Sequence, residues 1–393
     1  GHVNPKNNPG LIGRIPFSLG VHMSQLRQLG LYGNTLTGTI PKNIFRLSNL
    51  VYLNLADNTL MGTVHWEELS HNQKKLRRLI LHNNFLEGSV DFHLLAKTSV
   101  SLLALSNNLF GGNVDDTVGK LTSLEYLYLD GNKLVGSIPD GIGEIGNLKA
   151  LNLDNNELYG TLPHTIGDLT NLEYLSAKSN VLSGGLPAGM KLLTSLKTLN
   201  LASNALSGNL HHLSHMSGLE NIHLYQNSFT GHIHDSMFSN LPKLEVLFLS
   251  SNSLTGSITQ KVALSQKHLR GLYLSDNNLK GSIPEALCSL YKLEDLYLDT
   301  NSLEGTLPSC LGNLSGLKRF YVFKNQISGL VPGNLMSLPH LVELGIEEND
   351  LRGGMDQETC RQGKGLNIWA DCGELDGGCD CCNRCCSDQD KNC

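Results

Sequence analysis

Leucine alternates with variable residues in short segments that recur along the chain, and the same polar positions follow each segment. The recurring frame is L-x-x-L-x-L-x-x-N-x-L-x-G-x-[IL]-P. Its asparagine recurs every 24 residues, with excursions only to 23, 25 and 26. A recurrence of this size predicts a solenoid, in which each repeat stacks on its neighbours. The fourteen copies of the frame are marked by Asn34, Asn58, Asn84, Asn108, Asn132, Asn156, Asn180, Asn204, Asn227, Asn252, Asn277, Asn301, Asn325 and Asn349.

The first half of each repeat predicts a β-strand, because its x-L-x-L-x residues alternate with a period of two. Leu296 and Leu298, for example, are expected to point into the core. Asp295, Tyr297 and Asp299 are then expected to point outward. Stacking of such strands gives one long parallel sheet on the concave side of the solenoid.

The second half of each repeat predicts a turn, a second short strand and a short convex helix. The asparagine amide can bond to turn backbone that water cannot reach, and a glycine four residues later leaves room for the bend. Proline then ends the second strand and prepares the helix. The expected fold is an α/β solenoid, a horseshoe or superhelix of about fourteen repeats of about 24 residues. Other residues hold the proline position at His65, Asp91, Asp115, His211, His234, Thr259 and Asp356.

Three regions are expected along the chain. Residues 1–24 form a partial N-terminal repeat or cap, residues 25–358 form the solenoid, and residues 359–393 form a cysteine-rich cap over the last repeat. Eight cysteines in so short a segment indicate four disulfides and a secreted protein, although eight cysteines allow about 105 pairings. These eight are Cys360, Cys372, Cys379, Cys381, Cys382, Cys385, Cys386 and Cys393.

Two further features agree with secretion. Cys288 and Cys310 lie on the convex sides of adjacent repeats, so a disulfide between them is expected. Asn313 begins a single N-glycosylation motif, Asn313-Leu314-Ser315. The chain has no run of 18 apolar residues, so no membrane span is expected. A basic and apolar leader is also absent at the start, which indicates that a signal peptide was removed or never existed.

The frame with its G-x-[IL]-P ending resembles the plant-specific class of leucine-rich repeats over about residues 11–356. That class occurs in plant receptor ectodomains and in secreted polygalacturonase-inhibitor-like proteins. The resemblance implies an extracellular protein, although such relatives usually carry a cysteine pair in an N-terminal cap and this chain has none. The tail, with Ala370-Asp371-Cys372 and the run CDCCNRCC, is similar to those of secreted leucine-rich-repeat proteins of diatoms and related algae.

The outward residues between the two inner leucines form a column that is aromatic from His223 to Tyr321. At about 4.8 Å per strand, these rings would form a platform for a protein or glycan ligand. The alternative is that neighbouring rings only stabilise the strands by stacking on one another. Nearby acids, among them Asp276, Glu343, Glu347 and Glu348, would suit a basic or hydroxyl-rich ligand. The candidate ligand-binding residues are His223, Tyr225, Phe248, Tyr273, Tyr297, Asp299, Tyr321 and Phe323.

Histidines cluster in the eighth and ninth repeats, where His211 and His234 are expected to be neighbours. Imidazoles can hold a transition metal or form a pH-dependent contact, but without a clear third ligand we expect exposed loop residues and no metal. The net charge of −6 gives no reason to expect nucleic acid as a partner. The other histidines of the cluster are His212, His215 and His232.

No catalytic motif is convincing, and neither an enzyme nor a cofactor is expected. The run Gly141 to Gly146 fits G-x-G-x-x-G by letter, but it lies inside the repeat frame and not after a strand that opens a helix. Two non-catalytic alternatives remain beside ligand recognition. A matrix protein could assemble head to tail through an uncapped end. The residue after the repeat's glycine is usually Thr, Ser or Asn, and this column could order ice, as in some plant relatives, although it is broken at Gly185, His232, Leu330 and Gly354.

Overall fold

The computed structural model describes residues 10–263, 267–352, 365–371, 382 and 384–385. The chain forms two compact units, Gly1–Asn204 and Ala205–Cys393. Each unit is a stack of the repeats that the sequence predicts, with two parallel sheets and a row of short helices. The predicted solenoid is therefore confirmed, whereas the three predicted regions of the chain stay a prediction.

The main sheet of each unit is built from the x-L-x-L-x segments, and its strands pair in parallel and in register. Leu296, for example, lies between Leu272 and Phe320 on the neighbouring strands. In the first unit the strands are Gln28–Gly30, Tyr52–Asn54, Arg78–Ile80, Leu102–Ala104, Tyr126–Tyr128, Ala150–Asn152, Tyr174–Ser176 and Thr198–Asn200. In the second unit they are Asn221–His223, Val246–Phe248, Gly271–Tyr273, Asp295–Tyr297, Arg319–Tyr321, Glu343–Gly345, Asn367–Ala370 and Arg384–Cys385.

The second sheet of each unit follows the asparagine turns, as predicted. Its glycines have positive φ, and at Gly184 (φ 76°) a Cβ would come within 2.8 Å of Thr161 Cγ2. In the first unit the strands are Ile12–Arg14, Thr35–Gly38, Thr59–Thr63, Phe85–Ser89, Leu109–Asn113, Lys133–Gly136, Glu157–Gly160 and Val181–Gly184. In the second unit they are Ala205–Gly208, Ser228–His232, Ser253–Gly256, Asn278–Gly281, Ser302–Thr306, Gln326–Leu330 and Asp350–Arg352.

Short helices close the repeats on the side away from the main sheet, and most are 3-10 helices. The α-helices are Leu19–His22, Trp66–Asn72 and Phe92–Leu95 in the first unit and Asp235–Asn240 in the second. The 3-10 helices of the first unit are Lys42–Arg46, Asp116–Lys120, Asp140–Glu144, His164–Asp168 and Ala188–Leu192. Those of the second unit are His211–His215, Gln260–Ala263, Glu285–Ser289, Ser309–Asn313 and Gly333–Leu335.

Where proline is missing before a helix, a side chain often caps the helix instead. Asp91 accepts from the backbone N–H of Leu94 at 2.8 Å, and His234 accepts from that of Ser236 at 3.1 Å. Such caps satisfy N–H groups that the first helical turn leaves unpaired. His211 is predicted to hold the proline position before its helix, but in the structure that position lies one residue earlier. Leu210 precedes the helix and His211 is its first residue, in the repeat shortened to 23 residues.

The recurring asparagine is the main polar tie between repeats. Asn156 donates to the carbonyls of Leu153 and Asp154 in its own turn and to that of Leu129 in the preceding repeat, each at 3.1 Å. Its Oδ1 accepts from the backbone N–H of Leu134 at 3.0 Å. The same four bonds form at Asn84, Asn108, Asn180, Asn277, Asn301 and Asn349.

The predicted disulfide between Cys288 and Cys310 is confirmed, with Cα atoms 5.6 Å apart. Cys382 is also disulfide-bonded, and Cys385 lies in the strand Arg384–Cys385. The similarity of the tail to algal proteins stays a prediction. The predictions for the other tail cysteines lie outside the described residues: Cys360, Cys372, Cys379, Cys381, Cys386 and Cys393.

We predict that Asn156→Leu lowers the free energy of unfolding by about 3–5 kcal/mol, because it leaves several buried backbone groups without hydrogen-bond partners. Asn147→Ala is the control, since Asn147 is exposed and donates one bond, to the Thr122 carbonyl at 2.8 Å. Urea unfolding followed by circular dichroism measures both. Equal losses for the two variants would contradict the tie between repeats.

Candidate ligand-binding site

The predicted aromatic column is a continuous row of rings on the exposed face of the second unit's main sheet. Ring centroids are 4.6 Å apart for Phe248 and Tyr273, 4.9 Å for Tyr273 and Tyr297, and 4.6 Å for Tyr297 and Tyr321. His223 precedes them, 6.2 Å from Phe248. We call these five residues the aromatic row. The parallel register produces the row, because it places one outward residue of each strand beside the next.

Two further predicted residues flank the row. The Tyr225 ring lies 4.3 Å from that of Phe248, and the Phe323 ring lies 6.1 Å from that of Tyr321. Asp299, the remaining candidate, accepts from the Ser275 hydroxyl at 2.5 Å, and burial raises its pKa. The structure thus brings the candidates onto one face, while their role in binding stays a prediction.

Trp369 extends the aromatic surface beyond the row, and the sequence reasoning missed it. It lies on the strand Asn367–Ala370, in register with Gly345. Its ring centroid is 6.1 Å from that of Tyr321, across the position where Gly345 carries no side chain. A signal was present, because Ile368 follows Leu344 by 24 residues in the same register. The cysteines around this segment instead predict a separate cap.

A hydrogen-bonded network fixes two of the tyrosines. Tyr273 donates from its hydroxyl to Asp295 Oδ2 at 2.7 Å, and Arg319 donates to both oxygens of Asp295 at 2.6 and 2.9 Å. The Tyr321 hydroxyl donates to Glu343. Burial, followed by these bonds to carboxylates, raises the pKa of both tyrosines, so their hydroxyls stay protonated. Asp295 faces outward as predicted, yet it is only 7% exposed under its partners.

Glycine and the central tyrosine complete the shape of the row. A Cβ on Gly271 would lie 2.5 Å from Tyr273 Cε2, so only glycine lets that ring lie flat on the sheet. For the Tyr297 hydroxyl, no hydrogen-bond partner is found among the residues that the structure describes. The row therefore has two hydroxyls held by the protein, with one between them that is open to a ligand.

Charge is distributed unevenly around the row. One margin is a basic groove of 560 Å³, in which Glu294 pairs with both Arg270 and Lys318. Its remaining lining residues are Glu245, His268, Lys292, Gly316 and His340. At the C-terminal end lie four carboxylates, those of Glu343, Glu347, Glu348 and Asp371. An extended ligand on the row would thus meet cations along one side and carboxylates at one end.

Glu347 is the most unusual member of the acidic end. Its side chain is nearly buried, with the residue 8% exposed, and its Oε2 has no hydrogen-bond partner in the part of the chain that the structure describes. Burial raises its pKa, and the nearby Asp371 and Glu348 carboxylates raise it further. Glu348 itself is exposed and pairs with Lys324 at 3.3 Å.

The histidine cluster forms as predicted along one edge of the second unit. The His211 ring lies 5.9 Å from that of His234 and 5.7 Å from that of His215, and the His232 ring lies 5.8 Å from that of His234. His212 is 6.0 Å from His211. Within the described ranges, no three His, Cys, Asp or Glu side chains are close enough to hold a metal ion.

The first unit carries a smaller group of tyrosines on its main sheet. Tyr126 and Tyr174 stand on either side of Ala150, in a cleft of 360 Å³. Tyr128 stacks on Tyr126 at 6.4 Å. These rings do not form a continuous row, so they provide a comparison for the aromatic row of the second unit.

Comparison with known proteins agrees with the repeat architecture. Residues 98–278 match the family described as "Leucine-rich repeat region", and residues 268–290 and 292–351 match the families described as "Leucine Rich Repeat" and "Leucine rich repeat". No curated protein sequence matches the chain. No helix in the described part of the chain is long and apolar enough to cross a membrane.

Among solved structures, a TDR receptor is similar at 34% identity and a TM-score of 0.82, covering 88% of this chain and 59% of that one. The plant peptide hormone receptor RGFR1 in complex with RGF2 is similar at 26% identity and a TM-score of 0.80, and the match covers 92% of this chain and 61% of the receptor chain. A third similar structure is the ectodomain of the Arabidopsis thaliana receptor kinase GASSHO1/SCHENGEN3 in complex with CASPARIAN STRIP INTEGRITY FACTOR 2. Its identity is 32% and its TM-score is 0.78, and the match covers 91% of this chain and 46% of that one.

The repeat frame, the paired parallel sheets and these matches define the chain as a leucine-rich-repeat protein. In fold and repeat type it is similar to the ectodomains of plant membrane receptors. The chain spans less than two thirds of the length of each of those structures.

We predict that Arg319→Met lowers the free energy of unfolding by about 2 kcal/mol, because it leaves the nearly buried Asp295 without its cation. The loss is below that of a fully buried pair, since the Arg319 side chain is 43% exposed and screened by water. Arg270→Met is the control, because that arginine is more exposed and should matter much less. Urea unfolding compares the two, and equal losses would contradict a special role for Asp295.

We also predict that Glu347→Gln is more stable than the parent at neutral pH, by about 1 kcal/mol. Because burial raises the pKa of Glu347 above its ordinary 4.5, the folded chain gains stability from protonation below that value and loses it as pH rises through the raised pKa. The advantage of the variant should therefore vanish below about pH 4.5. Thermal melts across pH test this, with Glu348→Gln as control, and an advantage independent of pH would refute it.

Proposed function

We propose that this chain is a non-catalytic recognition module that binds an extended peptide segment of a protein ligand across the aromatic row. The observation that carries this proposal is the uninterrupted contact of rings from Phe248 to Tyr321 on an exposed sheet face. Four strands at about 4.8 Å span about 14 Å, the length of about four extended residues. Rings that are already fixed lose little entropy on binding.

The alternative role of the rings, stabilising the strands only, explains the row less well. Cross-strand ring pairs contribute about 0.2–1 kcal/mol each to stability. That stabilisation comes from the rings alone, so it does not explain an exposed hydroxyl. The Tyr297 hydroxyl lies between two tyrosines held by carboxylates and is itself unbonded within the described chain. A ligand carbonyl or amide fits that position, because a tyrosine on a binding face offers an apolar ring together with a hydroxyl that can hydrogen-bond.

The similar structures support the choice of a peptide over a glycan. Two of them are complexes, one of the plant peptide hormone receptor RGFR1 with RGF2 and one of the GASSHO1/SCHENGEN3 ectodomain with CASPARIAN STRIP INTEGRITY FACTOR 2. Extracellular location is part of the proposal and is supported by the Cys288–Cys310 disulfide. Asn313 is exposed at the end of its helix, as a glycosylation site requires. Glycan binding and end-to-end matrix assembly stay predictions from the sequence.

We predict that Tyr297→Ala weakens binding of a peptide selected on the purified protein by about 30-fold, the effect of losing a central aromatic anchor of about 2 kcal/mol. Phe248→Ala should weaken binding to a similar degree. A peptide array identifies the ligand, and calorimetry measures its affinity for each variant.

Two tyrosines outside the row serve as controls. Tyr126→Ala changes the main sheet of the first unit, and Tyr159→Ala changes a ring that is 57% exposed on the second sheet. Neither should alter the affinity. If Tyr297→Ala and Phe248→Ala fold normally and bind as the parent does, the row is not the ligand surface.

A further inference from the structure

The aromatic surface is interrupted at Gly345, and three groups converge on the gap. A Cβ on this glycine would lie 2.8 Å from Tyr321 Cδ1, 3.2 Å from Phe323 Cδ1 and 3.4 Å from Glu347 Oε2. Trp369 stands on the next strand, in register with Gly345. Aromatic rings thus lie on both flanking strands, with a carboxylate oxygen between them. We call Tyr321, Phe323, Gly345, Glu347 and Trp369 the Gly345 notch.

One oxygen of the carboxylate in the notch, Glu347 Oε2, has no hydrogen-bond partner among the described residues. Buried polar atoms nearly always have hydrogen-bond partners, so an orphaned one calls for an explanation such as an absent ligand. Four such atoms occur among the described residues, and Glu347 Oε2 is the only one that can carry a charge. The other three are Asn43 Oδ1, Gln73 Oε1 and Ser250 Oγ.

Two further carboxylates lie near Glu347, Glu343 at the start of its own strand and Asp371 after the next strand. Glu343 accepts from Tyr321, and Asp371 accepts from the Glu348 backbone N–H. Three cations lie at this end of the face. Lys324 is 3.3 Å from Glu348, Arg319 is in register with Glu343 but pairs with Asp295, and Arg384 is in register with Trp369. Carboxylates outnumber cations at this end of the face, so its field attracts positive charge.

We propose that the Gly345 notch binds a basic side chain of the ligand, the ammonium of lysine or the guanidinium of arginine. Rings of Trp, Tyr and Phe attract a cation over their faces, and a charge-assisted hydrogen bond to Glu347 fixes its position. The inference rests on the proposed function and specifies it, because it places a lysine or arginine at the C-terminal end of the bound peptide segment's footprint.

A cation reaches the carboxylate oxygen only if a neighbouring group moves, because Glu347 Oε2 is buried. The Tyr321 ring is held by its bond to Glu343. Phe323 has no hydroxyl to anchor it, is only half-buried, and lies beside the same point above Gly345 as Glu347 Oε2. Within the proposal, the Phe323 ring is the group that turns aside.

Trp369 provides a direct readout of the notch. The chain has two tryptophans, and the other, Trp66, is buried in the first unit, where its Nε1 donates to the Ser89 carbonyl. In a Trp66→Phe background, N-acetyl-arginine amide and N-acetyl-lysine amide should change the fluorescence saturably. N-acetyl-norleucine amide, which has a similar shape and no charge, should not. Calorimetry on the unsubstituted chain repeats the comparison.

Glu347→Gln should weaken binding of both basic probes at least tenfold, whereas Glu304→Gln, an exposed control on the second sheet, should leave it unchanged. A saturable response to the norleucine probe equal to that of the basic probes would overturn the proposal. An unchanged affinity in a folded Glu347→Gln variant would overturn it too. The comparison of basic and norleucine probes uses a chain with Glu347 intact. It therefore tests the cation subsite even if the Glu347→Gln variant does not fold.

The same variants separate this inference from the proposed function. If Tyr297→Ala abolishes peptide binding while Glu347→Gln and a lysine-to-norleucine change in the peptide have no effect, the cation subsite alone is wrong. If the basic probes bind but Tyr297→Ala and Phe248→Ala leave peptide binding intact, the row is wrong and the subsite stands.

Discussion

The structure depends on one interaction, the set of four hydrogen bonds made by the asparagine of most repeats. The amide satisfies two carbonyls in its own turn and reaches both a carbonyl and an N–H of the preceding repeat, as at Asn301. It therefore fixes the turn and the stacking distance together. A chain with such ties at 24-residue steps has its strands in register before any outward side chain is considered.

That register makes a surface out of residues that are far apart in sequence. Because outward residues of successive strands lie side by side, an aromatic residue at the same position in consecutive repeats produces contact between rings without any contribution from the core. Function can then vary while the fold is kept, since the leucines carry the packing and the columns between them are free to change. The aromatic row and the acidic end lie within a few repeats of the same unit.

Some side chains on this face are arranged at a cost to stability. The Asp295 carboxylate is nearly buried and relies on Arg319 and Tyr273, whereas one oxygen of Glu347 has no hydrogen-bond partner among the described residues. Natural proteins commonly keep such groups where they bind or react, because a site fully satisfied in the free protein has little left to offer a ligand. The two carboxylates differ in this respect. Asp295 orients a ring, and Glu347 is the group that we propose binds a cation.

The sequence by itself determined the repeats, both strands of each repeat, the turn asparagine, the Cys288–Cys310 bridge and the members of the aromatic row. These follow from periodicity, because a residue's position in the frame fixes which way it points and which residues it neighbours. The tertiary structure decided what periodicity does not encode. Side chains longer than one carbon can turn along or across strands, so the partner of Tyr273, the burial of Asp295 and the orphaned oxygen of Glu347 became visible only with coordinates. The contact of Trp369 with Tyr321 was also decided there, because it required the segment after residue 364 to return to the sheet edge.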